Sequence, residues 1–412
     1  SADADMSWTT NMVLDNNSRI SLSNNDAGAD NTVFGYLAGA GILEGGDQNV
    51  LIGDGSGQAV STSDNNVSIG YDALNENQTG GNNIAIGSRA LNKITTADNT
   101  AIGHHAARFN ETGTDNTYLG NLAGQGASGQ SNSNNVAVGS SALLAVTTGG
   151  SNVAVGYQAG LAQTASYYNT SIGYQANKVT DANGNTAVGY LAHGGDGTEN
   201  TALGSWAMDN ASGQADGCVA IGNSSLRGDL TDGADNTVAI GKSALTALTS
   251  GAGNVAVGYQ SLSVCTDGKY NTAIGHQALG SAMNVGDSST AVGYQSLYSA
   301  DPDTNDHGSN TAVGKQSGYD ISTGTGNTLV GANAGNSGSN DLTTGDSNTF
   351  IGNEANGSAA GATNQTVIGA TTTGQADNSV TLGNASVTAV YMASDKRATM
   401  LSGEIEVVQA SD

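Results

Sequence analysis

The chain has 412 residues, of which 61 are glycine and one is proline; 5% are aromatic and 11% charged, and the net charge at pH 7 is −25. Charge at under half the usual density argues against an ordinary globule, and a negative field with no basic run argues against nucleic acid and anionic membranes as partners. No stretch reaches about 18 apolar residues, so no membrane insertion is expected, and two cysteines are too few for a disulfide framework or a zinc site.

Residues 1–30 open without a signal-peptide pattern and are predicted to be an N-terminal β segment or connector. From 31 to 384 the chain repeats itself. A glycine recurs 21 times, from Gly35 to Gly383, at spacings of 14 to 21 residues that average about 17. "SNVAVGYQAG" (151–160) and "GNVAVGYQSL" (253–262) are representative copies. The residue before each glycine is apolar, and the residue three before is Val, Ile or Thr. That alternation predicts a short strand, with the glycine (Gly156, Gly173, Gly258) at a corner and a second short strand after it. Each period is then one coil of a parallel β-solenoid of about 21 coils. Asn stands four before the glycine in 16 copies, Asn152 and Asn254 among them, and is expected to stack as an amide ladder. The Val/Ile/Thr positions are expected to face the core, so that Val155→Asp would bury a lone charge.

Several stretches along the array invite a chemical reading. Tyr167, Tyr168, Tyr270 and Tyr298 lie in the variable segments and are the candidate receptor contacts, set against a role in padding coil edges. "GGDGTEN" (194–200) and "TDGADN" (231–236) are acidic, and "SADPDTNDHG" (299–308) holds Asp301, Asp303 and Asp306, the candidate Ca²⁺ ligands. Neither an EF-hand nor a calcium-roll spacing is present, so solvated turn chemistry is the competing assignment. "NTVAIGKSAL" (236–245) lacks the glycine five before Gly241 that a phosphate loop needs. His104 and His276 follow their glycines in a column where Tyr occurs seven times, which makes them corner residues with no oriented partner for base catalysis. Cys218 and Cys265 lie too many coils apart to bridge. No carboxylate pair, triad or metal cluster stands outside the repeat, so the chain is not expected to be an enzyme and no cofactor is called for.

The column two before the glycine is Ala in 12 copies, including Ala154 and Ala256, and carries no charge in any. By strand alternation it is expected to face away from the coil's own core. An uncharged stripe of that length calls for a partner along the whole array, with three chains around one axis the favoured closure and two the alternative.

"NVAVGYQSL" (254–262), "NNVAVGSSAL" and "NTAIGHQAL" resemble the head repeats of trimeric autotransporter adhesins, and the resemblance implies a left-handed parallel β-roll built as a homotrimer. The period of about 17 is longer than that family's common repeat, which implies larger loops. "DNNSRISLSNND" (15–26) and "NSVTLGNASVTAVYMASDKRATMLSGEIEV" (378–407) resemble segments that flank such repeats in bacteriophage tail fibres. The resemblance implies that 385–412 is a C-terminal β segment leading to a self-cleaving chaperone domain, so that a chain stopping at residue 412 is a matured or truncated product. The expected function is a non-catalytic fibre and host-receptor adhesin on a virion tail. A bacterial trimeric surface adhesin and a self-assembling extracellular filament are the alternatives, and all three are extracellular. The expected partners are other copies of the chain and a host cell-surface receptor such as a glycan. An ice- or small-ligand-binding solenoid would need a flat outward threonine ladder, whereas the Thr column is expected to face inward.

Overall fold

A computed structural model describes residues 28–178, 181–209, 213, 215–231, 233–281, 286–300, 308–338 and 340–390, together with two short strands, β1 (Val13–Leu14) and β2 (Ile20–Ser21), paired antiparallel. From Thr32 onward the chain winds as a β-solenoid. Each coil contributes one three-residue strand, from β3 (Thr32–Phe34) to β23 (Val380–Leu382), and every regular element among the described residues is a strand. Neighbouring coils pair parallel and in register: Val153, Ala154 and Val155 of β10 (Val153–Val155) face Thr170, Ser171 and Ile172 of β11 (Thr170–Ile172). The result is a single 21-stranded sheet whose end strands pair on one side only. At about 4.8 Å per strand the array is roughly 100 Å long.

The polarity of the strand is opposite to the sequence expectation. The middle residue of each triplet points inward: Ala154 and Ala256 are 0% exposed, while Val155 is 36% exposed and its column lies on the outer face. A coil of about 17 residues closed by one short strand has a narrow lumen. It accommodates the Ala column, a second small column three after the glycine (Ala159, Ala176) and Leu or a smaller residue next to it (Leu143, Leu245). The Val, Ile and Thr side chains flanking the Ala are therefore turned outward by the pleat. Where the inward residue is large, a glycine makes room: a Cβ on Gly57 would lie 2.7 Å from Leu51, and one on Gly124 would overlap the Tyr118 ring.

The second strand expected after the glycine is a sequence of turns. The chain there alternates into the left-handed region, as at Gln158 (φ 54°) and Leu143 (φ 48°). Hydrogen bonding between coils persists without strand geometry: Gln158 N–H donates to the Ser140 carbonyl at 3.0 Å and Gly160 N–H to that of Ala176 at 2.9 Å. These bonds hold conformations that the side chains alone would disfavour.

The asparagine ladder forms as expected. Asn152 N–H and Nδ2 both donate to Asn135 Oδ1, at 3.0 and 3.2 Å, and Nδ2 also donates to the Ser166 carbonyl at 2.8 Å. Its own Oδ1 accepts the N–H of Asn169 at 3.0 Å. Asn254 repeats the pattern, donating to the Gly268 carbonyl at 2.7 Å and accepting from Asn271 N–H at 2.9 Å. The Asn152 rung thus satisfies two backbone groups on its C-terminal side and ties itself to the side chain of the preceding rung. Asn152→Ala leaves the Asn169 N–H and the Ser166 carbonyl unpaired, and is expected to cost about 3 kcal/mol, read as earlier thermal loss of the parallel-sheet signal in circular dichroism.

The apolar core consists of two clusters, one ending at Ala159 and the other beginning at Ala176. Between them, and in the first coils of the second, some inward positions are polar. Gln163 Nε2 donates to Ser171 Oγ at 3.2 Å, and His193 Nδ1 lies 3.0 Å from Asn177 Oδ1, with Asn200 Nδ2 3.4 Å from its Nε2. A neutral imidazole protonated at Nδ1 satisfies both contacts. Burial pushes the His193 pKa down to about 4. The folded state therefore binds this proton less readily than the unfolded chain, whose His titrates near 6.5. Stability is full above pH 6.5 and falls as the pH drops toward 4. The expected loss is about 2 kcal/mol between pH 6.5 and 5, measured as a fall in the melting temperature that is absent in His193→Leu.

Candidate interaction surfaces

Charge is segregated around the coil. In the ten residues that run from the ladder position through the strand and corner of each coil, the 21 copies together hold four acidic residues (Asp54, Asp72, Asp209 and Glu354) and six Lys or Arg. The other 202 residues hold the remaining 32 acids and five Lys or Arg. One side of the solenoid is therefore apolar and close to neutral, while the connecting segments carry the negative charge.

On the neutral side the sheet presents two parallel columns. One is Val, Ile or Thr throughout, and runs as Thr272, Thr290, Thr311, Thr328, Thr349 and Thr366 in consecutive coils. The other is mostly Ile, Val or Leu, including Ile274, Val313, Val330 and Ile351, all more than a third exposed. This is the uncharged outward stripe that the sequence called for, built from different residues: the Ala column lies inside and the β-branched columns carry it. Contiguous apolar surface of this length is rare on monomeric proteins and commonly marks an interaction face.

Beside the ribbon, the residue after each corner glycine forms an aromatic row. Tyr157, Tyr174 and Tyr190 stack at centroid distances of 5.3 and 5.2 Å, and Trp206, two residues after its glycine, closes the row edge-on at 5.5 Å, with the Arg227 guanidinium 5.4 Å from its ring. A second row runs Tyr259, His276, Tyr294 at 5.0 and 5.4 Å. Along that row the following residues form an amide ladder. Gln277 Nε2 donates to Gln260 Oε1 at 3.1 Å, Gln295 to Gln277 at 3.0 Å and Gln316 to Gln295 at 3.3 Å. Sequence reasoning passed over these tyrosines as corner residues. The signal was present, because seven tyrosines in one column of an in-register solenoid must neighbour one another wherever successive coils share them.

The four tyrosines proposed from sequence are not brought together. Tyr168 and Tyr270 occupy equivalent positions, left-handed (φ 62° and 57°) and 71% and 64% exposed, but they are six coils apart. Tyr167 is tied down by its hydroxyl, which donates to the Thr148 carbonyl at 2.8 Å. Tyr298 stacks on Tyr319 at 5.1 Å along a coil edge, the padding role weighed against recognition.

The acidic segments serve the turns. Asp235 Oδ1 accepts the N–H of Asp216 at 2.9 Å, and Asp216 Oδ1 that of Thr198 at 2.6 Å; Asp287 and Asp346 do the same for Lys269 and Thr325. Asp301, Asp303 and Asp306 lie outside the described residues. Among the described residues no group of three His, Cys, Asp or Glu side chains is disposed to hold a metal ion, and no helix is long and apolar enough to cross a membrane. Cys218 and Cys265 are unbridged and buried, and burial pushes their thiols up to about 11 and about 12. Compared with known protein families and with curated proteins, the chain matches none.

Proposed function

We propose that the chain is the shaft and receptor-binding surface of a non-catalytic homotrimeric extracellular fibre, of the kind carried on phage tails. The observation that carries this reading is the outward Val/Ile/Thr ribbon, which runs along 21 strands without a charge. Three copies closing these ribbons around one axis bury the apolar face and leave the acidic turns in water. A rigid rod of this build presents the same corner and loop groups at many heights, and weak contacts then add through multivalency. The resemblance to trimeric adhesin heads and tail-fibre flanks supports the assignment, and a bacterial surface adhesin or filament shares the same physical basis.

One observation favours a second reading. The threonine column faces outward, so a flat Thr/Val lattice that orders water or ice is compatible with a chain that stays monomeric. Attachment is tested with the labelled full chain on a panel of bacterial cells. Saturable binding displaced by unlabelled chain is expected; unsaturable or absent binding across the panel contradicts the adhesin role.

A further inference from the structure

The second aromatic row has a property that the first lacks. It is flanked by lysines in its own column, Lys242 one coil before Tyr259 and Lys315 one coil after Tyr294. Both lysines are exposed and stand in no ion pair among the described residues. Across these five coils, the ten residues from ladder position to corner contain no Asp or Glu. A stripe of two cations, three aromatic rings and a row of amides thus runs along a chain of net charge −25.

We infer that this stripe, Lys242–Tyr259–His276–Tyr294–Lys315 with its amide ladder, is a binding track for a linear acidic glycan lying along the solenoid axis. The inference names the receptor chemistry of the adhesin reading and rests on it. The coil spacing of about 4.8 Å is close to the advance per sugar of an extended β-1,4-linked pyranose chain, so one residue of such a chain meets one rung. Gln277 and Gln295 each use one amide hydrogen and one oxygen lone pair on their neighbours and keep one of each for a ligand hydroxyl. The rings lie inclined to one another by 34° and 30° along the row, so that much of each face is turned toward its neighbour and the ligand meets their edges and the tyrosine hydroxyls. Sugar recognition here is therefore mainly by hydrogen bonds, with the carboxylates of the glycan paired to the two lysines. Those pairs are local: screening at physiological salt acts over about 8 Å and isolates them from acidic turns across the coil. The glutamines are pre-positioned, since Gln277 and Gln295 donate their backbone N–H groups to the Tyr259 and His276 carbonyls at 2.8 and 2.9 Å, so little ordering is required on binding.

The test is calorimetric titration of the full chain with β-1,4-linked mannuronate oligomers of graded length, and with neutral cello-oligosaccharides of the same lengths. Saturable binding is expected to tighten up to about five sugars, the span of five coils at the strand spacing, and then to level off; the uronates should bind more tightly than the neutral series. Lys242→Ala with Lys315→Ala should weaken uronate binding by about five- to tenfold while leaving native mass and circular dichroism unchanged. Absent binding, equal binding of neutral and acidic oligomers, or an undiminished double variant overturns the assignment. Cell attachment retained in a chain that ignores uronates overturns the track alone; uronate binding by a chain that attaches to no cell overturns the adhesin reading and keeps the track.

Discussion

Ala154→Asp is expected to destabilise the centre of the array by about 4 kcal/mol or more, whereas Val155→Asp, one residue along the same strand, leaves each chain folded. Ala154 is fully buried, and β10 is flanked on both sides by paired strands. A carboxylate there is shut off from solvent and lies among the apolar residues of the core. Val155 stands on the outer face, so its replacement changes the stability of a single chain by about 1 kcal/mol or less. In the proposed trimer its effect falls on assembly, because the ribbon that carries Val155 would then bury the charge against a neighbouring copy. Thermal unfolding followed by circular dichroism separates the two. A folded Ala154→Asp and an unfolded Val155→Asp would return the strand to the polarity expected from sequence. Because coils couple mainly to their neighbours, the loss should appear as early melting of part of the array rather than a uniform shift.

Gly156→Val carries the other large expected effect. Gly156 has φ near +134°, a region closed to β-branched residues, and a Cβ there would overlap the Gly173 carbonyl. The strand ladder and the corner row both pass through this point, so relief by backbone movement would break bonds on both sides. A loss of about 4 kcal/mol or more is expected. Gly129→Ala provides the control: its φ is +80°, but a Cβ meets nothing within 4 Å, so only the conformational cost of about 1 kcal/mol remains. Equal effects for the two variants would show that crowding between coils is not what fixes glycine at the corner. The same reasoning applies to Gly173 and Gly258, whose Cβ positions overlap the carbonyls of Gly189 and Gly275.

Much of this architecture is legible in the sequence. The period, the one-strand coil start, the corner glycine and the asparagine ladder all follow from residue types recurring at fixed offsets, because in-register stacking places identical residues side by side. The polarity of the strand is not given by alternation, which says only that Val153 and Val155 share a face opposite Ala154. Charge could not decide the matter either, since neither face carries any. Size could have: Leu51, Tyr118 and Leu329 are each followed six residues later by glycine, at Gly57, Gly124 and Gly335. That compensation is expected only if the middle strand residue shares a core with the corner. The second strand expected after the glycine does not form, because the left-handed conformations there depend on bonds to neighbouring coils rather than on local sequence. Of the candidate surfaces, the ribbon was anticipated as a need for a partner, though assigned to the wrong column. The aromatic rows were visible as a column but went unrecognised, because stacking between coils depends on register rather than on local sequence.

The central claim, that the outward Val/Ile/Thr ribbon is closed by two further copies of the chain, is tested most directly by the native mass from light scattering, repeated in cold detergent without boiling. A mass near three times 40.7 kDa that persists in detergent is the expected result. A monodisperse particle of 40.7 kDa would contradict it and leave the threonine lattice facing water.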